Sequence, residues 1–418
     1  MKKIIAITGG SISGNKGAEA MTTTVIRSLR KEFPDAEFIL FTPYKKADIA
    51  LLDKYEAVTL ADSSPVALVI KHLPLTLLER LFNLPFSSLS SDTKLLKKAD
   101  ILIDVAGISF SDGREIYLPF NVLTIWPKLL LRGKVAKVSQ ALGPFKNRIN
   151  RTLAKWLIPR CCYLAARGSG TVENLKSIGL SGFDYCPDIT FAMNNTAEMN
   201  VLNEKLVAYL NFGDTSKKIV GLCPSSVVYK ACQKRNIDYV KINAEFTNYL
   251  IQKNYRVLFI PHSIRPATTK LKNNDLPVIN KIIALTGSNK NISVVKDELN
   301  SIQLRKLIGQ CNLFIGSRFH SMISSLSMAV PTAVCGWGHK YFEILDLFGL
   351  RDYAIDYHQL SLDGMTKIFE NLQANSNNIH EKINLALPNV NADANIQIDA
   401  LIKLLKNNST INGADRKW

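Results

Sequence analysis

A chain of 418 residues is longer than one hydrophobic core usually fills, so two domains are expected. Its 47% hydrophobic and 21% charged residues are an ordinary globular balance, while a net charge of +17 favours a phosphorylated substrate, nucleic acid or an anionic membrane surface. With no zinc-finger spacing, no RNP motif and no long Lys/Arg block, a nucleic-acid reader is not expected.

The opening MKKIIAITGG is too short an apolar run for a signal peptide and reads as a first buried strand. Apolar residues at helical spacing over 18–33 predict a helix, and AEFILFT predicts the next strand. Strand, glycine-rich turn, helix, strand is the signature of a parallel α/β layer. ADILIDVAG, KVAKVSQALG and CCYLAARG follow as strands, and FDYCPDITFAM closes this half with a short strand inside it. Residues 196–216 are polar and helix-like and read as a linker region. A second cycle then predicts strands at KKIVGLCPSS, RVLFIPHS, ISVVKD, NLFIGSRFH and VPTAVCGW. Helices alternate with them at YVKINAEFTNYLIQKNY, PVINKIIALTG, IQLRKLIGQC and SMISSLSMA.

The expected architecture is therefore α/β, with two doubly wound, Rossmann-like domains facing a cleft. The first spans 1–200 and the second 215–385. A helix over 386–408, which contains ANIQIDALIKLLKNN, crosses back, and 409–418 form a frayed tail. Two stretches, about 63–92 and 115–133, depart from the pattern and mix Leu, Pro and aromatics with Lys and Arg. Either they are insertion helices packed on the core, or they form a basic-apolar face lying on a membrane. No uninterrupted apolar stretch is long enough to predict a membrane-spanning helix. Seven scattered cysteines without a CxxC pair predict reduced thiols with neither disulfide nor metal roles. A cytoplasmic protein is expected, with contact to the inner face of the plasma membrane as an open possibility.

In open α/β sheets ligands bind beyond the carboxyl ends of the strands. Four loops there hold suggestive residues. In TGGSISGNKGAEA, glycines such as Gly17 let backbone N–H groups approach an anion. Asn15 suits either a helix cap or a ligand bond, and Glu19 suits a sugar hydroxyl. These glycines do not make the dinucleotide fingerprint GxGxxG. In DVAGISFSDG, residues Asp104, Gly107, Ser109 and Asp112 form either a cleft wall or a turn. Arg167 in LAARGSGTVENL ends a strand, where its guanidinium binds an anion or joins a structural ion pair. The fourth loop is GSRFHS, Gly316 to Ser321, with His262 of IPHS beside it. Arg318 and His320 stand where a buried strand becomes a buried helix, and the helix start adds positive potential. Gly316 and Ser317 of that turn are expected to contact substrate. In GWGHKYFEIL, Lys340 is a candidate phosphate contact and His339 a surface residue. No DxD motif or His/Cys cluster requires a metal.

These residues resemble the polysaccharide pyruvyl transferase family. The resemblance is carried by GNKGAEA, SQALGPF at 139–145, AARGSGTVENLKSIGL with the following CPDITF, and IGSRFHSMISSLSMAVPTAV with Lys340 beyond it. It implies a fold similar to B-type glycosyltransferases, with the acceptor on the first domain and the donor on the second. It implies phosphoenolpyruvate as donor, no cofactor, and a sugar or lipid-linked oligosaccharide as acceptor. The product would be a pyruvate ketal on a capsule or exopolysaccharide precursor. On that reading Arg318 and Arg167 offer planar forks to the donor's carboxylate and phosphate, and His320 handles protons. Two alternatives stay open: a nucleotide-sugar glycosyltransferase or epimerase, with Glu298 or Glu343 against the ribose, and a binding subunit without turnover.

Overall fold

The computed structural model describes residues 2–52, 58–193, 201–265, 273–336 and 339–407. The expected tail over 409–418 and residues 196–200 of the expected linker lie outside the described residues. The chain divides into two units. One gathers residues 1–13, 21–193 and 392–418; the other gathers 14–20 with 194–391. The loop carrying Asn15, Gly17 and Glu19 is thus counted with the second unit, not with the first domain where the sequence order put it.

The first unit holds β1 (Ile4–Thr8), β2 (Glu37–Thr42), β3 (Val58–Asp62), β4 (Ile101–Asp104), β5 (Ile108–Ser109), β6 (Lys134–Leu142), β7 (Tyr163–Arg167) and β8 (Asp184–Cys186). The sheet order is β3-β2-β1-β4-β6-β7-β8, with β5 paired to β6, and every pairing is parallel. Such strands are covered on both faces, which is why they read as unbroken apolar runs. Lys137 interrupts the run in β6. It stands in register with Asp104 of β4, ion-pairs with it, and lies 5.6 Å from the Phe110 ring centroid.

The second unit holds β9 (Ile219–Cys223), β10 (Arg256–Phe259), β11 (Ile292–Val294), β12 (Leu313–Gly316), β13 (Thr332–Gly336) and β14 (Ala354–Asp356). Their order, β11-β10-β9-β12-β13-β14, is the parallel doubly wound order. Strand order reverses between β9 and β12, where Cys223 pairs with Gly316. A ligand is expected in the crevice beyond the carboxyl ends of those two strands.

The helices used below are α1 (Lys16–Glu32), α2 (Leu73–Phe82), α3 (Ser91–Lys98), α4 (Ser226–Gln233), α5 (Leu276–Thr286), α6 (Ser301–Ile308), α7 (Phe319–Ser327) and α8 (His339–Asp346). The first apolar insertion is helical: a π-turn, Leu68–His72, leads into α2. The second insertion packs against α2 through a short helix, Trp126–Leu130. Its Lys128 is buried and donates to the carbonyls of Leu96 and Ala99 at 2.8 and 2.5 Å, satisfying the end of α3. Burial lowers this amine to about 8. All seven cysteines are free and buried. Among the described residues no helix is long and apolar enough to cross a membrane, and no group of three His, Cys, Asp or Glu is placed to hold a metal.

Candidate active site

The site grows from the turn between β12 and α7. Gly316 ends the strand where a Cβ would come within 2.7 Å of the Phe314 ring and 2.9 Å of Ser321 Oγ. Only glycine fits there. Ser317 N–H donates to Cys223 O at 2.9 Å, tying the turn to the neighbouring strand. Its Oγ accepts from the Tyr239 hydroxyl at 3.3 Å and its carbonyl from the Tyr341 hydroxyl at 3.2 Å. Gly316 and Ser317, both expected to touch substrate, are instead built into the turn.

Arg318 is the N-cap residue of α7. Its Nε donates to Asp275 Oδ2 at 3.0 Å, and its Nη2 to Asp275 Oδ1 at 2.5 Å and Ser226 Oγ at 3.0 Å. The fork expected to grip a donor therefore grips a carboxylate of the protein. Burial works against the guanidinium's charge, but Asp275 outweighs it and raises its titration further. The side chain keeps 16% exposure, and among the described residues Nη1 makes no hydrogen bond.

Asp275 carries no exposed surface. It stands just before α5 and also accepts from Ser226 N at 2.9 Å and Ser263 N at 2.9 Å. One carboxylate thus fixes Arg318, the start of α4 and the loop after β10. The sequence reading missed it, because Asp-Leu-Pro reads only as a helix start.

His262 sits in that loop and is 2% exposed. Burial, and then the positive charges of His320, Arg318, Lys16 and Arg305, push its pKa well below the ordinary range, so it is neutral. Among the described residues its Nε2 is buried without a hydrogen-bond partner. Its carbonyl accepts from Lys16 N at 3.2 Å, and Asn15 forms an antiparallel bridge with Ser263. The glycine-rich loop is laid along His262 in this way.

His320 is half-buried in the first turn of α7. Its ring packs edge-on to Phe319 at 5.2 Å, and Lys340 Nζ lies 4.9 Å from the Phe319 ring centroid. A Cβ on Gly17 would fall 2.1 Å from His320 Nδ1. The imidazole is seated directly on the backbone of Gly17. That contact, rather than an anion, accounts for the glycine.

Several expected contacts are engaged elsewhere. Glu19 is buried: Oε2 takes Lys16 Nζ at 2.8 Å and Oε1 takes Ser301 N–H at 2.7 Å. Neither oxygen is open to a sugar. Glu298 Oε1 lies 3.6 Å from the same Lys16 Nζ. Asn15 is exposed, and its Oδ1 accepts from Gly17 N at 3.1 Å, which is helix capping. Arg167 is buried, with Nη1 on Asp188 at 2.5 Å and Nη2 on Gly107 O at 2.6 Å. That is the structural ion pair the sequence left open, not an anion site. Asp104 pairs with Lys137, Ser109 donates to Gln140 Oε1, and Asp112 accepts from Lys146 N and Asn147 N. The side chain of His339 lies outside the described residues.

The structure thus gathers His262, Arg318 and His320 at the switch point of one sheet, with Lys340 beside Phe319. The family model for polysaccharide pyruvyl transferase matches residues 15–339, which includes His262, Arg318 and His320 and ends one residue before Lys340. The chain belongs to the polysaccharide pyruvyl transferase family. Among curated relatives, this family member is 24% identical over 380 residues to the amylovoran biosynthesis protein AmsJ of Erwinia amylovora, covering 86% of this chain and 89% of that one. Its fold is that of two Rossmann-like domains of the B-type glycosyltransferase kind. It is similar to the UDP-GlcNAc 2-epimerase of Neisseria meningitidis, at TM-score 0.60 and 11% identity over 96% of this chain and 100% of that one. A glycosyltransferase from Rickettsia africae matches at TM-score 0.58 and 12% identity over 98% and 100% of the two chains. At such identities the two solved structures speak for the fold alone.

Proposed function

We propose that this transferase moves a pyruvyl group from phosphoenolpyruvate onto a pair of sugar hydroxyls, forming a pyruvate ketal on a polysaccharide precursor. The observation that carries the reading is His262, a buried imidazole held neutral amid Lys16, Arg305, Arg318 and His320. Glu19, Glu298 and Asp275 offset part of that charge, and an anionic donor would answer the rest. Phosphoenolpyruvate brings a carboxylate and a phosphate, and this reading assigns Arg318 and Lys340 to them.

In the reaction a proton is added to the donor's methylene carbon, which makes C2 an oxocarbenium. One sugar hydroxyl attacks C2 and gives up its proton. The C2–O bond to phosphate breaks, phosphate leaves, and the second hydroxyl closes the ring. Two protons leave the hydroxyls; one balances the proton added to carbon and the other goes out with phosphate. His320 supplies the first proton. Neutral His262 offers its Nε2, unpartnered among the described residues, to a hydrogen bond from the substrate. The donor carries its own activated group, so the proposed chemistry uses no cofactor.

The test is to incubate the protein with phosphoenolpyruvate or a nucleotide sugar, each with a panel of hexoside acceptors. Release of inorganic phosphate with a pyruvylated product is expected. Release of nucleotide instead would replace this reading with the nucleotide-sugar one.

Gly17→Ala sharpens the test. The added methyl must displace the His320 ring, and a shift near 1 Å costs about 10²-fold in rate. Alanine in a helix gains up to about 1 kcal/mol over glycine, which offsets part of the cost of moving the ring, so the melting temperature should change far less than the rate. Phosphate-release assays beside a thermal melt should show that split. Full activity in the alanine variant would remove the packing of His320 on Gly17 from the mechanism.

A further inference from the structure

The helical segment that runs through the π-turn into α2 buries Ala67 and Leu68 but turns a second apolar face outward. Its inward residues include His72 and Thr76. His72 bonds Thr93 Oγ1 at 2.9 Å and the Asp62 carbonyl at 2.8 Å, and Thr76 donates to His72 O at 2.7 Å. Large apolar residues also face water: Val66, Ile70, Leu81 and Phe82 are 64%, 67%, 67% and 62% exposed. A helix of a water-soluble protein ordinarily places its apolar stripe toward the core. Leu84 and Leu89 extend the exposed apolar surface past the helix end.

The exposed charges on this segment have one sign. Lys71 and Arg80 are exposed. The single acid between residues 65 and 84, Glu79, is engaged by Lys97 Nζ at 2.7 Å and Ser87 N at 2.9 Å. We infer that this outward face, Val66 to Leu84, docks on an anionic lipid surface, its aliphatic and aromatic side chains entering the headgroup layer and Lys71 and Arg80 meeting phosphates. The combination of an apolar face with flanking cations is what an interfacial helix needs. A second copy of this chain is a poorer occupant, because it would set Lys71 and Arg80 against like charges. The inference goes beyond the proposed reaction and does not depend on it.

The experiment is co-sedimentation of the full chain with phosphatidylcholine vesicles, with and without phosphatidylglycerol. Pelleting is expected with the anionic vesicles at low salt and falls as salt rises. Ile70→Glu combined with Leu81→Glu should abolish it. Lys71→Gln and Arg80→Gln should each weaken partitioning about five-fold. All these side chains are exposed, so the thermal midpoint and phosphate release with a soluble acceptor should stay unchanged. Three results would overturn the inference: no pelleting of the natural chain, undiminished pelleting of the double Glu variant, or a dimer that Ile70→Glu dissolves in a chain that ignores vesicles.

Discussion

Replacing Asp275 with Asn should destabilise the second unit by about 3–5 kcal/mol, the usual cost of stranding one partner of a buried ion pair. The carboxylate has no exposed surface and binds both Nε and Nη2 of Arg318, as well as the backbone N–H groups of Ser226, His262 and Ser263. Asparagine keeps the shape but loses the charge, and its amide nitrogen would face donors instead of accepting from them. Unfolding followed by fluorescence and by thermal melting checks the loss. The double variant Asp275→Asn, Arg318→Gln should recover part of it, because no buried cation is then left unpaired. A single variant that melts with the natural protein would show that Arg318 is held by something else.

His320→Gln should slow phosphate release from phosphoenolpyruvate by about 10²–10⁴-fold, the usual worth of a positioned acid or base. The imidazole is half-buried and rests on Gly17 and Phe319, so glutamine fills a similar space and the fold should survive. The readout is kcat with donor saturating, set beside an unchanged melting curve. An unaltered kcat would take His320 out of the chemistry and leave Arg318 and Lys340 as binding groups only.

The alternation of apolar runs with helical periodicity revealed both sheets, because parallel strands covered on both faces must be apolar throughout. β3 and β14 escaped that reading: neither Val-Thr-Leu-Ala-Asp nor Ala-Ile-Asp makes an unbroken apolar run, and both strands sit at sheet edges with part-buried residues. At the site, Arg318 and His320 were legible because cations at a strand-to-helix turn are costly unless answered by a partner or a ligand. Their answer, Asp275, was not legible, since it lies 43 residues before Arg318 and only folding brings the two together. The same blindness explains Glu19 and Arg167. Each stands in a suggestive loop, and each is answered by a group that local sequence does not display: the Ser301 N–H for one, Asp188 for the other. The basic-apolar insertion was visible as composition. Which residues of it face outward was not, because a π-turn shifts the helical period.

The hydrogen bond from Ser301 to Glu19 joins residues 282 apart in the chain. A ribosome adding 5–20 residues per second takes roughly a quarter of a minute to a minute to cover that distance. Through that interval Lys16 and Glu19 are made but their burial partners are not, and water must solvate them. A polypeptide begun at residue 194 would carry Arg318 and His320 yet lack Gly17, the floor on which the imidazole rests.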